Sequence, residues 1–256
     1  MLEHPIDVPA LKQENDKNEL LVRRRLIEAA EGRLITVTEE FEAAFEVLRK
    51  HSKTVTVFGS ARTPQDSDIS KQAFAAGWAL AKHGYAVVTG GGGGVMEAAN
   101  RGALKANGAS IGFNIKLPME QKLNDYTTDH YQFEHFFGRK VAMTLDANGY
   151  VFCGCGFGTL DEFFEIITLV QTGIVPKVPL ILLGVDFWTP IMAAVEVTMD
   201  GKYQTIDADD KDLYIITDDI ATVINEIDQH SFEKSREQMF ERAYRLKNRW
   251  IAEGRK

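Results

Sequence analysis

Two glycine-rich turns, each running into a helix with an early carboxylate, are where this sequence could do chemistry. The first is Gly90–Gly94, set between the apolar run YAVVTG (85–90) and the helical stretch VMEAANRGALKA (95–106), with Glu97 near the helix start. Five consecutive glycines cost backbone entropy, so an ordinary turn seldom uses them all. A backbone without Cβ atoms lets a ligand come close, and the start of the following helix offers unpaired N–H groups to an anion. The second is Gly154-Cys155-Gly156-Phe157-Gly158-Thr159, between GYVFC (149–153) and TLDEFFEIITLVQTG (159–173), with Glu162 near the helix start. Thr159 and Glu162 have the spacing of a capping box, which would make Glu162 a helix cap and nothing more. Two such loops at strand ends bring both carboxylates toward one rim, and that coincidence favours a ligand site. Arg139 and Lys140, on a helix predicted over 136–147, supply cations nearby, although an isolated Arg-Lys pair usually marks a solvated face.

Several other chemistries are poorly supported. No G-x-x-x-x-G-K-[ST] phosphate loop occurs. The glycine run lacks the last small residue of the dinucleotide fingerprint, and the next strand ends in Asn114-Ile115 rather than an acidic residue. The six histidines form no ligand cluster, and Cys153-x-Cys155 is too short a motif to argue for a metal or a redox pair.

The elements that must position these residues alternate strand and helix. Apolar strands are predicted at 54–58, 85–90, 109–115, 149–153, 178–184 and 213–219, with helices over 69–83, 95–106, 136–147, 159–173, the FWTPIMAAVEVTMD stretch, interrupted early by Pro190, and up to about 228. The stretch from Pro118 to His130 reads as a loop. Strands apolar throughout are covered on both faces, which is the mark of a parallel sheet. The predicted fold is α/β, a single Rossmann-like, doubly wound, mostly parallel sheet with flanking N- and C-terminal helices. Such sheets bind ligands at the carboxyl ends of their strands. The organisation read from the sequence is a polar segment and helix over 1–50, the sheet domain over 51–228, and a C-terminal helix over 229–256 that packs on the domain or on a neighbouring subunit. The first 20 residues read as polar and partly disordered, or draped over a partner.

The chain of 256 residues is long enough to bury a core without disulfides. Its hydrophobic share of 45% excludes disordered and fibrous classes, and a net charge of −8 argues against a protein built to coat nucleic acid. Two cysteines fit a reducing compartment. With no membrane-length apolar run and no secretory region at the N-terminus, a cytoplasmic protein without membrane partners is expected.

Read in order, Phe58-Gly59-Ser60-Ala61-Arg62, TGGGGGVMEAANRGA (89–103), NIKLPMEQKLN (114–124), HFFGRKVAM (135–143) and GFGTLDEFFEIITLVQTG (156–173) resemble the lonely guy (LOG) family, in its longer bacterial form, over residues 50–225. Members have often been labelled "possible lysine decarboxylase" and are better described as phosphoribohydrolases. They cleave the N-glycosidic bond of nucleoside 5′-monophosphates, of the cytokinin riboside or AMP type, to free base and ribose 5-phosphate. The resemblance implies Arg139 and Glu162 as the catalytic pair, and Glu97 as a contact to the nucleotide sugar. It makes Gly156, Phe157, Gly158 and Thr159 the phosphate loop, and Gly59, Ser60, Gly92, Gly93, Met96, Lys140 and Thr168 further substrate-binding positions. It implies no cofactor and no metal, an AMP-like nucleotide as ligand, and a homo-oligomer, most simply a dimer. A decarboxylase would need pyridoxal phosphate on a Schiff-base lysine, and no lysine here is singled out for that role. The family loop reads P-G-G-x-G-T, whereas this chain has Gly154 for the proline and Cys155 for the first glycine. That departure keeps open an alternative, a non-catalytic nucleotide-binding sensor or carrier with the same fold.

Overall fold

The structure, a computed structural model, describes residues 8–117, 122–145, 147–154, 156–230, 244–245 and 248–249. The chain divides into two units, residues 1–43 and 44–256. The first contains most of helix α1 (Val8–Leu48). This helix begins inside the segment expected to be polar and partly disordered. Its early sequence has a proline in the first turn, followed by Leu, Lys, Gln and Glu, all good helix formers.

The second unit is built on seven parallel strands: β1 (Thr54–Phe58), β2 (Ala86–Thr89), β3 (Ser110–Ile115), β4 (Asp129–Phe133), β5 (Tyr150–Cys153), β6 (Leu180–Leu183) and β7 (Tyr214–Thr217). Their order in the sheet is β4-β3-β2-β1-β5-β6-β7. The chain enters in the middle, winds outward to β4, and returns to place β5 on the free side of β1. The winding therefore reverses between β1 and β5, and a crevice opens at the carboxyl ends of those two strands.

Alternate residues of each strand feed two cores. Phe58, Phe152, Leu180 and Leu182 face α4 (Phe136–Thr144), α5 (Phe157–Gln171) and α6 (Val185–Val195). Val57, Val151, Ile181 and Leu183 face α2 (Asp68–Lys82), α3 (Val95–Lys105) and α7 (Ile220–Gln229). On the first side the fully buried Phe163 packs edge-on against Phe152 and Trp188, with ring centroids 5.3 and 5.4 Å apart. Trp188 in turn donates its indole N–H to the Phe152 carbonyl at 2.9 Å. On the second side α2 and α3 meet through glycine. A Cβ placed on Gly77 would lie 2.2 Å from the Ala99 carbonyl oxygen, and one on Gly102 would lie 2.1 Å from that of Phe74.

Three local expectations change. Strand β4 falls at the end of, and beyond, a stretch read as loop. It is an edge strand whose sequence, DHYQF, is mostly polar, so it lacks the apolar run that marks a central strand. Helix α5 begins at Phe157 with Gly156 as its N-cap, two residues before the predicted start. Thr159 is therefore a buried residue of the first turn rather than a cap, and the capping box does not form. The helix containing Pro190 runs through it and continues as a π-helical turn over Glu196–Lys202. The C-terminal helix lies outside the described residues apart from 244–245 and 248–249, which are helical.

Candidate active site

A cavity of about 440 Å³ occupies the crevice where the winding reverses. Its wall is assembled from the turns after β1 and β2, the end of β3, helix α4 and the first turns of α5.

Arg139 forms the floor. It is 8% exposed, and its Nε donates to the Phe113 carbonyl at 2.7 Å, which ties α4 to β3. The guanidinium lies against Gly90: a Cβ there would stand 1.8 Å from Nη2. The first glycine of the run is thus explained by the arginine that crosses it. Burial pushes the Arg139 guanidinium below its ordinary pKa, and the neighbouring Glu162 opposes that shift.

Glu162 enters from α5. Phe163 is locked into the core beside Phe152 and Trp188, so the preceding residue is turned toward the cavity. Burial raises its carboxyl to about 7; Arg139 and Lys140 pull it down, while Asp161 and Glu165 push it up. A carboxyl of this kind exchanges a proton at neutral pH, which suits it to general acid or base work.

The N-terminus of α5 lines the same cavity. No side chain caps it and no acidic residue occupies its first turn. Methyl groups built on Gly156 or Gly158 would meet nothing within 4 Å, so this helix end faces open space. Its free N–H groups and partial positive charge make it an anion seat. Arg62 lines the same cavity and adds a second cation. Phe157, 92% exposed, and Phe136, 56% exposed, place two aromatic rings on the wall.

Of the residues singled out in the sequence, Gly59, Ser60, Met96, Arg139, Gly156, Phe157, Gly158, Thr159 and Glu162 line this cavity together. The others stand elsewhere. Gly92 uses its carbonyl to accept from Asn124 Nδ2 at 3.0 Å. A Cβ on Gly93 would lie 3.5 Å from the Ala61 carbonyl oxygen and 4.0 Å from Glu97 Oε2, and neither Gly93 nor Glu97 is part of the cavity wall. Thr168 is exposed, donates to the Phe164 carbonyl at 2.6 Å, and borders a separate, smaller cavity. Lys140 turns away from its neighbour Arg139 and pairs with Asp161 at 2.8 Å and with Glu165. Cys155 lies outside the described residues. Beside it, Gly154 is buried against Ile69, whose Cδ1 would stand 2.8 Å from an added Cβ.

Sequence reasoning passed over the group that shapes the glycine loop. Thr89 Oγ1 donates to Asn100 Oδ1 at 2.6 Å and accepts from the Gly91 N–H at 2.9 Å. Asn124 Nδ2 reaches both Asn100 Oδ1 and the Gly92 carbonyl, and its own N–H donates to the Gly91 carbonyl at 2.9 Å. The available signal was an asparagine inside the alanine-rich MEAANRGA, where a buried amide must find partners.

Comparison with known proteins places this site in context. The family described as "possible lysine decarboxylase" matches residues 96–227. A protein of Mycobacterium marinum named cytokinin riboside 5′-monophosphate phosphoribohydrolase is 32% identical over 117 residues, covering 45% of this chain and 62% of that protein. The solved structure of the structural-genomics target TM1055 superposes with a TM-score of 0.53 at 28% identity, over 70% of this chain and 99% of that one. The molybdenum cofactor carrier protein of Chlamydomonas reinhardtii superposes with a TM-score of 0.50 at 24% identity, over 69% of this chain and 96% of that one, and shows a shared fold.

Proposed function

The chain belongs to the family described as possible lysine decarboxylases, the lonely guy (LOG) family, and from that premise we propose that it is a phosphoribohydrolase acting on nucleoside 5′-monophosphates. The observation that carries the reading is a Glu162 that ionises near pH 7 within the electrostatic influence of the buried Arg139, in a cavity shared with an uncapped helix N-terminus. A 5′-phosphate fits that terminus, with Arg62 and Arg139 as counter-charges. Holding the phosphate there converts remote binding energy into orientation of the sugar.

In the reaction the C1′–N bond breaks, its electron pair leaves with the base, and positive charge develops on C1′ and the ring oxygen. Water adds to C1′ and loses a proton, and the base gains one. The Glu162 carboxylate stabilises the cationic sugar or takes the proton from water; in its protonated form it can supply the base. The buried Arg139 charge keeps the carboxylate form within reach at neutral pH. Substrates of the AMP and cytokinin riboside 5′-monophosphate type follow from the family and from the name of the M. marinum relative. The reading includes a cytoplasmic homodimer. Support for the dimer comes from Phe137 and Val141 of α4 and Leu145 at its C-cap, which are 52%, 40% and 44% exposed and spaced four residues apart. No helix among the described residues is long and apolar enough to cross a membrane.

The test is incubation of pure protein with a panel of nucleoside 5′-monophosphates, followed by chromatography for free base. Release of base that is lost in Glu162→Gln supports the reading. Thermal stabilisation by nucleotide with no base released would instead favour the carrier reading, for which the Gly154-Cys155 departure from the family loop is the sequence observation.

A further inference from the structure

Lys140 adjoins the proposed catalytic arginine in sequence, yet points elsewhere. Arg139 is fixed in the cavity by the Phe113 carbonyl, whereas the Lys140 ammonium lies between Asp161 and Glu165 of α5. Those two carboxylates are four residues apart on one helix and flank Glu162. The Lys140 side chain is 22% exposed, against 66% for Asp161 and 43% for Glu165, so the cation is partly shielded while its two partners face solvent. The charged groups acting on Glu162 come from both helices: Arg139 and Lys140 from α4, Asp161 and Glu165 from α5. Arg62, from the turn after β1, lines the same cavity.

We propose that Lys140 is a positioning residue: it clamps α4 to α5 across Asp161 and Glu165, and its charge offsets theirs so that Glu162 is available as a carboxylate opposite Arg139. Without the lysine, two uncompensated carboxylates would flank a third that is already held in a poorly hydrated place. Glu162 would then keep its proton to higher pH. The kinetic part of this proposal rests on the hydrolase reading; the electrostatic part does not.

Two variants break the same bridge with opposite electrostatic sign. Lys140→Met leaves both carboxylates and removes the cation. The double variant Asp161→Asn with Glu165→Gln leaves the cation and removes both carboxylates. The Glu162 titration is followed by carboxyl 13C NMR, its signal assigned by its loss in Glu162→Gln. The acid limb of the pH–rate profile is recorded alongside. Lys140→Met is expected to move the midpoint up by roughly half a unit to one unit, the double variant to move it down, and Lys140→Arg to restore the parent value. KM for AMP should stay within about twofold in Lys140→Met while kcat falls at pH 6. Midpoints that move the same way in both variants would reduce the bridge to a mechanical brace and overturn the proposal. A tenfold rise in KM with an unmoved midpoint would make Lys140 a substrate contact and overturn it equally. Opposed midpoint shifts in a protein that releases no base would uphold the proposal while the hydrolase reading falls.

Discussion

Glu162 ionises near pH 7 in the folded protein, against 4.5 as its ordinary value, because burial disfavours its charge more than Arg139 and Lys140 restore it. Between those values the folded chain holds a proton that the unfolded chain has released, so stability falls as pH rises through the window from 4.5 to 7. Glu162→Gln removes this dependence. The variant should melt with the parent at pH 4.5 and melt several degrees higher at pH 8, a gain on the order of 1–2 kcal/mol, read by thermal denaturation at the two pH values. Gly90→Ala probes the opposite partner. Its methyl would occupy the place of Arg139 Nη2, so the guanidinium must leave its seat. Nucleotide turnover should drop by about 100-fold or more, as expected when a charged group misses its target by an ångström. A variant that folds with parental kinetics would show that the seat of Arg139 is not required. That Arg139 and Glu162 share one cavity was legible in the sequence only through the family-like motifs HFFGRKVAM and GFGTLDEFFEIITLVQTG. The placement of Lys140 against Asp161 and Glu165 was not, because adjacency along a helix sends neighbouring side chains in different directions. The Asn100–Asn124 pairing was hidden for another reason: it joins residues that only the folded loop brings together.

Among the elements, α2 and α3 show how little room the sheet's second face allows. Gly77 and Gly102 each lie against a carbonyl of the facing helix, so backbone meets backbone without an intervening side chain. Gly102→Ala should destabilise the protein by about 2–4 kcal/mol, since neither backbone can yield cheaply, with denaturant unfolding as the measurement. The turn before α5 is more forgiving. A Cβ at Gly154 would press on the Cδ1 end of Ile69, a flexible side chain. Most elements were readable from periodicity, because strands buried on both faces are apolar throughout. The start of α5 was misplaced, since Thr159 and Glu162 imitate a capping box, whereas the N-cap position is Gly156 and no side chain caps the helix. Strand β4 escaped notice because its sequence is that of a half-exposed edge.

Across the whole molecule, the two ends of the sheet are chemically unlike. The carboxyl ends carry the candidate active-site cavity, the glycine loops and the Arg139 and Glu162 side chains. The amino ends of β6 and β7 border a separate cavity of about 350 Å³, and those of β1 and β2 are held by hydrogen bonds. Asn148 binds the start of β1 twice, its side chain accepting from the Thr54 N–H at 3.0 Å and its N–H donating to the Thr54 carbonyl at 2.7 Å. Tyr85 donates to Asp228 at 2.8 Å, and His83 meets the same carboxylate at 2.8 Å, tying α7 to the β2 side. Asn148→Ala should therefore cost about 1–3 kcal/mol of stability and leave nucleotide affinity unchanged within error. Thermal melts and calorimetric titration of the same sample would test the separation; a weakened affinity would mean that the sheet transmits strain from one end to the other.

A carboxyl poised near neutrality also makes the proton a participant in binding. An anion seated beside Glu162 disfavours its ionised form, so the complex takes up a fraction of a proton from the medium as it forms. Affinity then declines as pH climbs past 7, and the apparent binding enthalpy changes with the ionisation enthalpy of whichever buffer gives up that proton.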